Sequence, residues 1–298
     1  MIEKPITSKD FTMPISLDFI MNELKAFYKL YLPFKNQHLL EKKEGSRNKK
    51  SKISDIKILA IMIMSHLYGS TNFKSFYELY LPKIFRKLPE YSWFMRLRER
   101  VIIDLICYLQ FHCVSTGKCF FIDSTPMKVC HNKRIKGHKT FKGEAERGYH
   151  SMGWFYGFKL HMIINEKGEI ARFCFTKGNV SDVNELKMAE GLNGILVGDK
   201  GYISQEWEKY LEEYGLKLIT KRKKNMKPIK LNDLEKALLG RRNIIETVFS
   251  QLKNWGLVNT KIRSYCGWIL NTLSTLATYV IQPFKPHVRL AKNLLIHN

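Results

Sequence analysis

A chain of 298 residues, 45% of them hydrophobic, is long enough to bury a large core and too apolar to be disordered. Lys and Arg number 50 against 27 Asp and Glu, a net charge of +23 whose self-repulsion points to a polyanionic partner, nucleic acid ahead of an anionic membrane. The longest apolar runs, 58–64 and 268–281, are too short to span a bilayer, and Lys4, Lys9 and Asp10 interrupt any signal peptide, so the expected location is the cytoplasm.

Residues 16–32 carry Leu17, Ile20, Leu24, Phe27 and Tyr31 at helical steps, with Ser16 as N-cap and Pro33 as the expected end. Residues 41–52 read as a basic linker. Ser54 caps a helix through about Tyr68, Gly69-Ser70 is a turn, and Thr71 caps a second helix through about Tyr80. Helix, glycine turn and helix form a unit that either reads DNA or simply packs in a bundle. Residues 91–116 read as one long basic helix. Cys107, Cys113 and Cys119 recur every six residues, a spacing that no common zinc site uses, so the six cysteines are read as reduced thiols.

From residue 119 the pattern turns to strands. Cys119-Phe120-Phe121-Ile122-Asp123 is an apolar run that ends in a carboxylate, with Pro126 expected to stop it. A carboxylate there is costly unless compensated, and a metal ion is the usual compensation. The alternative is that Asp123 is a turn-former capping Thr125. Residues 156–165 alternate as a second strand, 166–169 turn, and 170–177 return as a third. A helix over 182–190, an apolar strand over 194–198 ending at Asp199, a helix capped by Ser204, and a strand over 216–220 follow. A helical region at 232–254 kinks near Gly240. The order suits a mixed five-stranded α/β sheet flanked by helices and preceded by an all-α region. A right-handed crossover lets strand four lie parallel to strand one, which puts Asp123 and Asp199 at neighbouring carboxyl ends.

On the helix after Gly240, Arg242, Glu246 and Lys253 share one stripe beside an apolar face of Ile245, Val248, Phe249 and Leu252. Arg242 and Glu246 can equally form an i,i+4 pair on a solvated helix.

Phe121-Ile122-Asp123-Ser124-Thr125, Gly198-Asp199-Lys200-Gly201-Tyr202 and Arg242-x3-Glu246-x6-Lys253 together resemble the DDE transposases of bacterial insertion sequences. The last piece is most of the signature Y-x2-R-x3-E-x6-K, with Leu239 at the tyrosine position. Residues 130–135, 153–161 and 178–180 resemble one compact group of these elements, and the likeness covers roughly residues 50–284.

The resemblance implies a ribonuclease-H-like domain over 117–260, between a helical DNA-binding region at 1–116 and a C-terminal helix and tail at 261–298. It implies metal-dependent cutting and joining of double-stranded DNA at transposon terminal repeats and target sites, on the nucleoid, by a chain acting at least as a dimer. Asp123, Asp199 and Glu246 would be the catalytic carboxylates holding Mg²⁺ or Mn²⁺. Three carboxylates can hold two such ions about 4 Å apart, one activating the nucleophile and one stabilising the leaving oxygen.

Two basic segments are expected to meet phosphates. One carries Lys128, Lys133, Arg134, Lys136, Lys139, Lys142 and Arg147; the other carries Lys221, Arg222, Lys223, Lys224 and Lys227. Arg242 and Lys253 join them as DNA contacts. Trp154 is expected in the core, and His131, His138 and His150 on the surface or against DNA. Asp182 is a rival for the metal site or a helix start. Two other functions fit the charge: a nuclease of the same fold without strand transfer, and a basic binding protein without catalysis.

Overall fold

The computed structural model describes residues 15–38, 53–70, 72–222, 226 and 230–288. The linker at 41–52, Thr71, Lys223, Lys224 and Lys227 lie outside the described residues.

Through residue 111 the described elements are helical. Helix α1, Leu17–His38, starts where the Phe19 amide donates to Ser16 Oγ, and it buries Ile20, Leu24, Phe27, Tyr28 and Tyr31. It does not stop at Pro33. Proline costs a helix one backbone hydrogen bond; the turn beyond is anchored by Lys35, whose ammonium reaches the buried carboxylate of Asp104 at 2.6 Å.

Helix α2, Asp55–Leu67, is capped by Ser54 as its sequence indicates, and residues 58–66 are buried on every side between α1 and the last helix. A helix buried all round is the centre of a bundle and presents no free face to a DNA groove. Gly69 makes the following turn at φ +59. Asn72 caps the short helix α3, Phe73–Ser75, which runs on as a π-turn over Phe76–Tyr80.

The expected long helix over 91–116 is instead α4, Tyr91–Leu97, a 3₁₀ turn Arg98–Val101, and α5, Ile102–Phe111. Tertiary contacts bend it. Arg98 turns over the Phe73 ring, and Arg100 reaches Asp55 and the Ile53 carbonyl.

The sheet has six strands: β1 Cys119–Cys130, β2 Glu146–His150, β3 Gly153–Asn165, β4 Ile170–Lys177, β5 Gly194–Gly198 and β6 Leu216–Thr220. Their order is β2-β3-β1-β5-β6, and β4 shares the outer edge of β3 with β2. β1–β5 and β5–β6 are parallel; the other pairs are antiparallel. The parallel neighbours expected from the crossover rule are therefore present. The second strand of the expected set begins earlier than its alternating core, at Gly153, and gains β2 as a partner.

β1 passes through Pro126, contrary to expectation. Its pairs with β5 are Cys119, Phe120 and Phe121, whereas Pro126 pairs with Lys159 of β3. Beyond Phe121 β1 is thus an edge on the β5 side, where a strand tolerates proline.

After β4, Asp182–Ala189 is 3₁₀ rather than α-helical. Ser204 caps α6, Gln205–Glu213; Asn232 and Glu235 form a capping box on α7, Asp233–Gly240; α8 is Asn243–Asn254 and α9 is Tyr265–Ile281.

The sheet separates two apolar clusters. Phe121, Met127, Leu160, Met162 and Val197 face α8, α9 and the helical bundle in one continuous core. Phe120, Ile122, Ile163 and Leu196 face the 3₁₀ segment and α6 in a smaller one. Among the described residues no helix is long and apolar enough to cross a membrane.

Candidate active site

Strand alternation decides where the carboxylates point. Phe121 faces the α8 side, so Asp123, two residues on, faces it as well. Phe121 pairs with Val197, so Asp199, two residues past Val197, reaches the same level beside it. Asp199 ends its strand in extended backbone, and its Oδ1 accepts the Gly201 amide at 2.6 Å. Glu246 comes from the first turn of α8, whose Ile245, Val248, Phe249 and Leu252 are buried against the sheet.

Arg242 ties two of these groups together. Its guanidinium donates to Asp123 Oδ2 at 3.1 Å and to Glu246 Oε1 at 2.5 Å. Asp123 and Arg242 side chains are each 18% exposed, Glu246 54%. The i,i+4 pair exists, but it also closes on the sheet aspartate, so it is more than a solvated-face pair.

Asp123 Oδ1 also accepts the Ser124 amide at 2.8 Å. These partners do not neutralise the site. Burial, with the Asp199 and Glu246 carboxylates adding repulsion, pushes the Asp123 carboxyl up to about 6 against the pull of the Ser124 amide and Arg242. Among the described residues no group of three or more His, Cys, Asp or Glu stands close enough to hold a metal ion, and the cation between Asp123 and Glu246 is Arg242.

Cations border the carboxylates. Asp123 and Lys128 both act electrostatically on Lys253, and Lys253, Asp182, Lys159 and Lys128 all act on His150 at the β2–β3 turn. Lys133, Arg134 and Lys136 are exposed on the 3₁₀ turn Asn132–Gly137, which Asn132 ties to the Trp154 carbonyl. His131 caps that turn, and His138 stacks on Phe141. Lys139, Lys142, Arg147 and Lys221 are exposed. Arg222 turns onto Glu208 at 3.3 Å, and Lys223 and Lys224 lie outside the described residues.

Trp154 is not core. It is 52% exposed, with the Arg147 guanidinium 4.8 Å over its ring and Tyr149 edge-on at 5.3 Å.

On the opposite face of the sheet lies a polar cluster that the strand reading passed over. Asp182 Oδ1 accepts Ser124 Oγ and Lys159 Nζ, each at 2.9 Å, and His161 Nδ1 stands 3.8 Å away. Lys159 and His161 are buried, and burial holds His161 down to about 4. A signal was available: Lys159 and His161 alternate with Phe158, Leu160 and Met162, and a Lys and a His on the second face of a strand buried on both faces require partners.

Residues 114–265 match the family model described as "Transposase DDE domain". The chain belongs to the DDE transposase family. The matched span of this DDE domain begins before β1, ends at the start of α9, and contains all three carboxylates. Its fold also resembles a solved structure, the cryo-EM structure of the piggyBac transposase synaptic complex with hairpin DNA. The two share a TM-score of 0.53 at 11% identity, over 92% of this chain and 73% of that one. That likeness is one of fold: a mixed α/β sheet with its helices. No curated protein matches the chain.

Proposed function

We propose that this chain is an insertion-sequence transposase with a ribonuclease-H-like catalytic domain. It binds the terminal inverted repeats of its element as a dimer on the nucleoid, and cuts and joins DNA strands. What supports this reading is that Asp199, from a strand end, and Glu246, from a helix, both act electrostatically on Asp123 of β1. Their repulsion of Asp123 leaves a demand for positive charge that one arginine meets only in part.

The donor set is all carboxylate oxygen, which suits Mg²⁺ or Mn²⁺. Asp123, Asp199 and Glu246 would hold the ions, which when bound supply Lewis-acid activation of the nucleophile and stabilisation of the leaving oxygen. Arg242 must then release at least one carboxylate. Freed, its fork can grip a phosphate with two parallel hydrogen bonds, while Lys253 acts as a point charge further along the same helical stripe. Lys128, Lys133, Arg134, Lys136 and Lys139 extend the positive surface from the end of β1, and Lys221 extends it from the end of β6. In this reading the catalytic domain spans 117–260, and the helices at 1–116 contribute DNA contacts through surfaces other than buried α2.

The test is a labelled transposon end, pre-cleaved to expose its 3′-hydroxyl, offered with a target plasmid and Mg²⁺. Joined product supports the reading. Cutting without joining would make the chain a nuclease of the same fold, and binding indifferent to Mg²⁺ and to the carboxylates would make it a non-catalytic DNA-binding protein.

A further inference from the structure

The reverse face of the sheet holds a built polar cluster directly behind the carboxylates. β1 needs support there. Past Phe121 it has lost β5 as a partner, so Asp123 to Met127 are paired to β3 alone. Asp182 supplies a second attachment from the segment after β4. One oxygen, Oδ1, accepts Ser124 Oγ from β1 and Lys159 Nζ from β3, each at 2.9 Å. Lys159 is itself fastened to the Val180 carbonyl at 2.8 Å. Ser124 joins the two faces: its hydroxyl donates to Asp182 on one side and its amide to Asp123 Oδ1 on the other.

The second oxygen, Oδ2, lies on the Gly201 side. A Cβ built on Gly201 would press on Asp199 Oδ1 at 2.9 Å and stand in ordinary contact with Asp182 Oδ2 at 3.7 Å, so Gly201 borders both carboxylates. Two buried polar groups border the same carboxylate: His161 Nδ1, 3.8 Å from Oδ1 and without a hydrogen-bond partner, and the Tyr202 hydroxyl, on which Asp182 acts electrostatically. His161 is nonetheless held in place, because its Nε2 meets Thr176 Oγ1 at 2.8 Å. A carboxylate gripped by an ammonium and a hydroxyl is anchored firmly enough to hold other groups in register.

We propose that Asp182 is a positioning residue. Through Ser124 and across Gly201 it sets the separation of Asp123 and Asp199 from behind the sheet, and with it the affinity of the site for a divalent cation. The proposal rests on the metal-binding reading of those two aspartates.

The experiment measures Mn²⁺ binding to the full chain by electron paramagnetic resonance, beside thermal melts. Asp182→Ala is expected to weaken Mn²⁺ by about 10-fold or more, as outer-shell losses at metal sites do. Ser124→Ala should lose part of that, and the double variant should be no worse than Asp182→Ala, since both act through one hydrogen bond. Asp182→Asn keeps an acceptor for Ser124 without the charge. It should fall between, and it decides the matter if Asp182→Ala does not fold. Mn²⁺ affinity within about two-fold of wild type in Asp182→Asn and Asp182→Ala, with lowered melting, would make the cluster merely structural and overturn the proposal. Asp123→Asn is the control. If it leaves Mn²⁺ affinity unchanged, the metal reading fails and the proposal falls with it; if it abolishes binding while the Asp182 variants do not, positioning alone is wrong.

Discussion

Asp104 in the helical bundle and Asp123 at the sheet edge are both taken largely out of water, and they are treated in opposite ways. Asp104 is 0% exposed and saturated: Tyr28 Oη and Tyr31 Oη donate to it, and Lys35 Nζ reaches both of its oxygens. Each of these partners is a donor, and the Lys35 ammonium lies much nearer to Asp104, at 2.6 Å, than to Asp55, at 4.0 Å. Asp123 has one backbone amide and half of a guanidinium that it shares with Glu246, and two other carboxylates act on it. A buried charge that the protein satisfies fully is structural, whereas one left short of positive charge in a reachable place is suited to chemistry.

The contrast can be broken most directly at the chemistry. Asp123→Asn should lower single-turnover cleavage of a labelled end by on the order of 10³-fold or more while end binding persists, and Asp199→Asn and Glu246→Gln should do the same. Double variants should be little worse than singles, because the three act as a unit. Near-normal cleavage by any one removes it from the site. Asp104→Ala should instead cost about 3–5 kcal/mol in urea melts, leaving two buried hydroxyls and a half-buried ammonium without the partner they share, with Mn²⁺ affinity untouched. A stable Asp104→Ala would show that saturation there contributes nothing.

The pH dependence sharpens the same point. Asp123 is raised from 3.8 to about 6 in the fold, so the folded chain holds its proton more tightly than the unfolded one. Its contribution to stability is complete below about pH 4, is lost as pH rises to about 6, and is flat above. In EDTA the wild type should lose up to about 3 kcal/mol over that window, and Asp123→Asn should lack that limb. Parallel curves for the two would mean that Asp123 is as well compensated as Asp104.

Smaller effects test the arginine and the basic rim. Arg242→Lys keeps the charge but cannot bridge two groups in a fork, so cleavage should fall about 10- to 100-fold with little change in melting temperature. A silent Arg242→Lys would reduce the residue to a counter-ion of the free protein. Lys221→Ala should reduce the salt slope of DNA binding by about 0.9 if it meets one phosphate, and leave it unchanged if it meets none.

Much of this was legible along the chain. The caps at Ser54 and Ser204, the strands over 170–177, 194–198 and 216–220, and the order of the three carboxylates depend on neighbours a few residues away. The adjacency of Asp123 and Asp199 followed from the handedness of one crossover. Other features depended on partners far off in sequence. α1 continues past Pro33 because Lys35 finds Asp104, and β1 continues past Pro126 because β5 has already ended. Trp154 lies outside the core because it sits on a hairpin turned toward Arg147 and Tyr149. The Asp182 cluster joins residues 58 and 23 positions apart, as Ser124 and Lys159, and no local pattern encodes such a meeting. Alternation tells which face a strand residue takes; what waits for it on that face is decided only when the chain closes.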